Sequence, residues 1–247
     1  VAAEGEPDAE AASLAVDHLD RLVDELIEIV DHAVDDLTSR PDDSLLARQL
    51  AAGCVLRCRA LLLAMRLLED EHADVNGVLI RNLWEAVIVG LDLLTDEHAL
   101  RRLGGDMQAN QRKLIDANSE LADLRQMIEA RGVDEDRFIV EQAAERVANA
   151  LGGSRDAGYS LVYRGESTFG GHGLGLASPY VDLTTTPWRV AKRANPINVA
   201  DARHQVAIGA LFASLLVAYV FEAFGLDPTP AEAIHDTLAE ALATSTG

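Results

Sequence analysis

Aromatic residues are scarce in this 247-residue chain, at 4% of the total, and the only lysines are Lys113 and Lys192. A sheet-rich core draws on aromatic and β-branched side chains, so an apolar content of 49% carried mainly by Ala, Leu and Val points away from sheets and toward helices packed on helices. Cysteine is limited to Cys54 and Cys58. Two thiols cannot form a disulfide framework or a cysteine-rich zinc site, and their i,i+4 spacing in an apolar stretch reads as two small core residues on one helix face. Positive charge is also short, with 21 basic residues against 41 acidic ones and a net charge of −20. A field of that sign repels a phosphate backbone unless a local basic cluster overrides it, so bulk charge argues against non-specific nucleic-acid binding.

Other signatures are missing as well. The opening VAAEGEPDAE has neither a basic region nor an apolar run, so no signal peptide is read and a cytoplasmic location is the expectation. No G-x-x-x-x-G-K-[ST] loop, strand-borne G-x-G-x-x-G or H-E-x-x-H occurs, so no cofactor is expected. Gly171, Gly173 and Gly175 alternate without a preceding strand and read as a flexible exit from a helix.

What is present is helical periodicity. Leu14, Leu19, Leu22, Val23, Leu26, Ile27, Val30, Val34 and Leu37 recur at three- and four-residue steps with acids between them, which predicts one amphipathic helix over 8–38. SRPDD at 39–43 stops it, and a second helix follows over 45–68. HADVNG at 72–77 reads as a break before a third helix, 78–94. The Gly104–Gly105 pair predicts an interruption before a helix over 107–131, and another helix is expected over 134–151 with Gly152 and Gly153 at its end.

From 173 to 198 the periodicity fails. Pro179, Pro187 and Pro196 break any helix there, and a long irregular loop with at most a short hairpin is predicted. Residues 206–221 then run sixteen positions without a charge, short of the about 20 that a membrane span needs, and read as a central core helix. No stable membrane insertion is expected. A last helix starts at Pro230 and reaches about residue 243. The expectation is an all-α antiparallel bundle of about six to eight helices in one domain, 1–247. Residues 1–7 form a flexible start and 96–152 a peripheral helical subdomain.

Few residues carry chemistry. Glu69 with His72 and Glu232 with His235 have the Glu-x-x-His spacing of di-metal bundles, but each pair falls at a helix end, so they read as surface groups and no metal is expected. Arg81 and Glu85 are i,i+4 neighbours on an apolar helix, which predicts a partly buried ion pair that seeks further hydrogen bonds from Tyr159, Tyr163 or Ser167. Losing one partner of a buried pair costs about 3–5 kcal/mol. Arg189, Lys192 and Arg193 are the best basic cluster of the chain and the candidate substrate contact.

The segments RNLWE at 81–85 and YRGESTFGGH at 163–172 together resemble a family of bacterial all-helical proteins that is itself similar to the HEPN superfamily. Catalytic members of that superfamily are metal-independent ribonucleases using an Arg and a His. The resemblance implies Arg164 on the phosphate and His172 as acid–base, paired across a homodimer, in a toxin or defence effector acting on RNA. A non-catalytic interaction or ligand-binding bundle would use the same residues as a hydrogen-bond network fixing helix geometry. This second reading is placed first, because buried polar networks more often organise packing than do chemistry and because the chain is acidic. A membrane-associated bundle resting on 206–221 ranks last.

Overall fold

The apolar stripe that begins the chain does form one helix, α1 (Pro7–Thr38), and Leu19, Leu22, Val23, Leu26, Ile27, Val30 and Leu37 are all buried along one side of it. The computed structural model describes residues 7–38, 46–68, 73–116, 138–152, 181–182, 189–190 and 196–245. Six further helices lie among them: α2 (Leu46–Leu68), α3 (Ala73–Thr95), α4 (Ala99–Asp116), α5 (Val140–Ala150), α6 (Pro196–Phe224) and α7 (Thr229–Ser245). A two-residue antiparallel ladder pairs β1 (Val181–Asp182) with β2 (Arg189–Val190). The protein is an all-α helical bundle.

Charged pairs and close contacts fix the helix directions. Arg66 meets Asp20 and Asp24 while Arg59 meets Asp31, so α2 runs antiparallel to α1. The Cys58 thiol lies 4.0 Å from the Leu83 carbonyl, and Gly90 faces Cys54, so α3 runs antiparallel to α2. Between α3 and α6 the contacts advance together: Ile80 faces Gly209, the Trp84 and Phe212 ring centroids are 3.9 Å apart, and Gly90 faces Leu216. These two helices are therefore parallel. Parallel neighbours cannot be joined by a tight turn, which gives residues 96–195 their architectural role as a crossover carrying α4, α5 and the ladder.

Between Val206 and Phe221 helix α6 carries no charge on any side, as a helix segment surrounded by others must. It packs on α1, α2, α3 and α7, and Val206, Ala207, Ala210, Ala213, Leu216, Val217 and Val220 are buried. Small residues set the spacing. A Cβ at Gly209 would stand 2.7 Å from the Ile80 side chain, and one at Gly90 would stand 2.6 Å from a Leu216 methyl and 3.1 Å from the Cys54 Cβ. Gly90 is where α2, α3 and α6 meet.

The turn into α7 is written locally. Gly225 takes a positive φ of 68°, and the Leu226 N–H donates to the Phe221 carbonyl at 2.8 Å, closing α6 with a Schellman-type exit. The Asp227 carboxylate then accepts the Thr229 N–H at 3.0 Å, and Pro230 sits in the first turn where its missing N–H costs nothing. This tight antiparallel hairpin creates the groove described below.

Several sequence expectations are corrected. Helix α3 begins at Ala73 and runs through the expected break at Asn76–Gly77, and it buries Asn76. Helix α4 passes through Gly104 and Gly105 uninterrupted, since two glycines cost only about 1 kcal/mol each and the flanking residues are good helix formers. Helix α5 starts at Val140, six residues after the expected Asp134, because Phe138 and Ile139 precede it as non-helical residues. Pro196 opens α6 where the sequence reading had it break one, as proline is tolerated in a first helical turn. The length argument against a membrane span also fails. Arg203–Phe224 is 22 residues long and, by length and composition, is the one helical stretch among the described residues able to cross a bilayer, although 61% of it is buried inside the bundle.

Candidate functional site

Of the polar network expected from sequence, Arg81 and Glu85 lie among the described residues. Their side chains meet at 3.5 Å on α3, with 34% and 36% of each exposed. The pair forms and is partly buried, as the spacing requires, with positions 81 and 85 on the flank of α3 while Ile80, Leu83, Trp84 and Val87 take the core. Glu85→Ala is expected to destabilise the protein by about 1–3 kcal/mol, the scale of leaving a partly buried polar partner unsatisfied, and a denaturant midpoint would read it. Arg189 is placed in β2 through its backbone, paired with Asp182. Tyr159, Tyr163, Arg164, Ser167, His172, Lys192 and Arg193 lie outside the described residues, as do Glu69 and His72.

The buried charge of α3 is Asp92, which is fully shielded from solvent. Arg146 of α5 grips it with two parallel hydrogen bonds, Nε to Oδ1 at 2.9 Å and Nη2 to Oδ2 at 2.8 Å. Arg102 of α4 approaches the same carboxylate at 3.7 Å and reaches Asp96 at 2.6 Å, and Arg146 touches Asp96 at 3.2 Å. Two guanidiniums and two carboxylates thus balance in charge where α3 ends. Burial opposes the charge on Asp96, but the His98 N–H and the Arg102 and Arg146 guanidiniums outweigh it and hold that carboxyl below its usual range. Asp96 also opens α4 by accepting the His98 N–H at 2.8 Å. An open cleft of about 560 Å³ beside this quartet is lined by Thr95, Asp96, Glu97, His98, Arg146 and Asn149. The sequence carried a signal for it, since Asp92 is the lone charge between Ala86 and Thr95.

A second cavity, of about 360 Å³, lies between α6 and α7. Leu215, Ala218, Tyr219 and Glu222 come from α6, and Glu232, His235 and Asp236 from α7. The spacings i, i+3, i+4 and i+7 on α6 and i, i+3, i+4 on α7 place each set on one helix face. His235 is not the surface group that its place near the helix start suggested. Its Nδ1 lies 2.9 Å from the Leu211 carbonyl and 3.2 Å from Ser214 Oγ. A carbonyl can only accept, so the proton sits on Nδ1 and Nε2 is left as the second ring nitrogen. Ser214 is fully buried and its hydroxyl donates to the same Leu211 carbonyl at 2.7 Å. The imidazole therefore does not take a proton from this serine, and the two are not a nucleophile and base.

The cysteines are as inert as the sequence suggested. Burial pushes the Cys54 thiol up to about 11 and the fully buried Cys58 thiol higher still, away from the thiolate form that reacts. Among the described residues no three His, Cys, Asp or Glu side chains come together as a metal-ligating set. Comparison of the chain with known protein families, with curated proteins and with solved structures finds no match, so a functional reading starts from this geometry.

Proposed function

We propose that this chain is a non-catalytic binding module whose binding place is the α6–α7 groove and whose ligand is a small organic amine. The observation that carries the reading is the lining of the groove. Glu222, Glu232 and Asp236 surround an apolar floor of Leu215, Ala218 and the Tyr219 ring. Carboxylates spread along a groove suit a cation whose charges are separated by methylene groups, and an aromatic face adds attraction for an ammonium. The net charge of −20 raises the local concentration of any cation. A volume of about 360 Å³ lies at the lower end of the range for small-molecule sites. Two features favour recognition over chemistry: His235 is tethered by a main-chain carbonyl, and Ser214 is beyond the reach of a substrate.

Titration calorimetry with spermidine as the probe tests this. Wild-type protein is expected to bind it, and the double substitution Glu232→Gln with Asp236→Asn is expected to weaken binding by roughly tenfold or more, the equivalent of about 1.4 kcal/mol. No binding by the wild type, or equal binding by the double variant, overturns the assignment. The ribonuclease reading rests on Arg164 and His172 and is tested separately. The non-catalytic reading expects single-stranded RNA to remain intact in excess chelator. Cleavage by the wild type that is lost in His172→Ala would establish the ribonuclease instead.

A further inference from the structure

The imidazole that lines the α6–α7 cavity is held in one pose by two contacts on the same ring nitrogen. His235 Nδ1 lies 2.9 Å from the Leu211 carbonyl and 3.2 Å from Ser214 Oγ. Ser214 already donates its hydroxyl proton to that carbonyl at 2.7 Å, so toward the ring it can only accept. Both neighbours of Nδ1 are therefore acceptors, and in the neutral ring they fix the proton on Nδ1 and a lone pair on Nε2. Ser214 is fully buried and the carbonyl belongs to the backbone of α6, so neither partner is free to turn and favour the other tautomer.

The second nitrogen is left open. Among the described residues Nε2 has no hydrogen-bond partner, and it is not shut away from solvent, so it offers its lone pair from a residue that lines the cavity. On α7, Glu232 precedes His235 by one turn and Asp236 follows it directly. A fixed neutral acceptor beside carboxylates separates two classes of cation. A primary or secondary ammonium has N–H bonds to give, and each one that meets an acceptor strengthens binding. A quaternary ammonium has none, and its methyl groups are held by several aromatic faces closing around them. Tyr219 is the one phenol ring among the residues lining this cavity, too little for such a cage.

Taking the α6–α7 groove as an amine site, on which this inference rests, we propose that His235 Nε2 accepts an N–H from the bound ammonium and makes the groove selective for N–H-bearing amines over quaternary ones. His235 touches the ligand and sets specificity, while Leu211 and Ser214 are its positioning partners. No proton is transferred. The ammonium keeps its charge, which the carboxylates balance.

Titration calorimetry on the full chain at about pH 8.5, where a reference imidazole is neutral and an alkyl ammonium is still charged, compares spermidine with its fully N-methylated, quaternary analogue. The wild type should bind spermidine roughly tenfold or more tightly than the analogue, the scale of one hydrogen bond to a charged group. His235→Asn puts an amide nitrogen where Nδ1 stood, keeping a donor for Leu211 while removing the outer acceptor, and the preference should shrink to a few-fold. His235→Gln carries its amide oxygen out to the place of Nε2 and gives up the tether, and it should keep most of the preference. Equal affinity of the wild type for the two ligands overturns the proposal and leaves the groove an amine site of broader selectivity. A preference in His235→Asn as large as that of the wild type overturns it as well, since the carboxylates alone would then discriminate, and loss of the preference in both variants removes the acceptor role from Nε2. Failure of the wild type to bind either ligand sinks the amine reading of the groove itself, and this inference with it.

Discussion

Removing Arg102 and Arg146 together by alanine substitution should destabilise the protein by about 3–5 kcal/mol, whereas each single substitution should cost distinctly less than half of that. The asymmetry comes from Asp92, which is fully buried and has both guanidiniums as partners. With one arginine present the carboxylate keeps a countercharge, and the partial exposure of Arg146 lets water solvate whatever is left exposed. With neither, a charge stays in the interior unpaired, which is the costly half of breaking a buried pair. Groups that share one partner are coupled, so the double variant should exceed the sum of the singles. Urea midpoints of the four proteins in the cycle would read this, and strict additivity would mean that the two arginines do not share Asp92. Adding Asp92→Asn to the double variant should recover part of the loss, because an amide is far cheaper to bury than a carboxylate.

Leu216→Ala should cost about 2–5 kcal/mol, as expected for a leucine with no solvent exposure at the junction of three helices. Its methyls occupy the space that a side chain on Gly90 would need, at 2.6 and 2.9 Å from the position of the absent Cβ. Gly90→Ala in the wild type should therefore cost about 1–3 kcal/mol by overpacking, because the Cys54 Cβ at 3.1 Å blocks relief on the other side. In the Leu216→Ala background the same glycine change should cost little or even restore stability, since the added methyl enters the cavity just made. Thermal or denaturant unfolding of the four proteins measures the coupling, and a Gly90→Ala penalty of the same size in both backgrounds would show that Gly90 and Leu216 do not compete for one volume.

The candidate groove was partly legible. Glu232 and His235 stood out by spacing, but nothing in sequence places Glu222 or Tyr219 opposite them. That proximity depends on the tight turn at Gly225 and Asp227, which reverses the chain and lays one face of α7 on one face of α6. The same turn explains why His235 was misjudged. Its position near a helix start suggested exposure, but that first turn packs directly against α6, with Ala231, Ile234 and Leu238 buried around it.

Sequence alone determined that the protein is helical and which stripe of α1 faces inward, because amphipathic periodicity is a local property that each segment carries by itself. The start of the last helix near Pro230 was also legible, but the end of the core helix was not: it is expected at 221 and lies at Phe224, where Gly225 at positive φ and the Asp227 carboxylate set the turn. Where a helix continues through glycine, as at Gly77, Gly104 and Gly105, the breaker signal is overruled. A propensity cost of about 1 kcal/mol per glycine is small beside the good helix formers that flank it. Tertiary structure decided which charges matter. Arg81 and Glu85 form the partly buried pair that their spacing implies, while Asp92, one acid in an apolar run, became the fully buried anchor for arginines 10 and 54 residues further along the chain. A side chain's protonation, partners and cost depend on what surrounds it in space, and that is set when separate helices meet, not by the residues beside it in sequence.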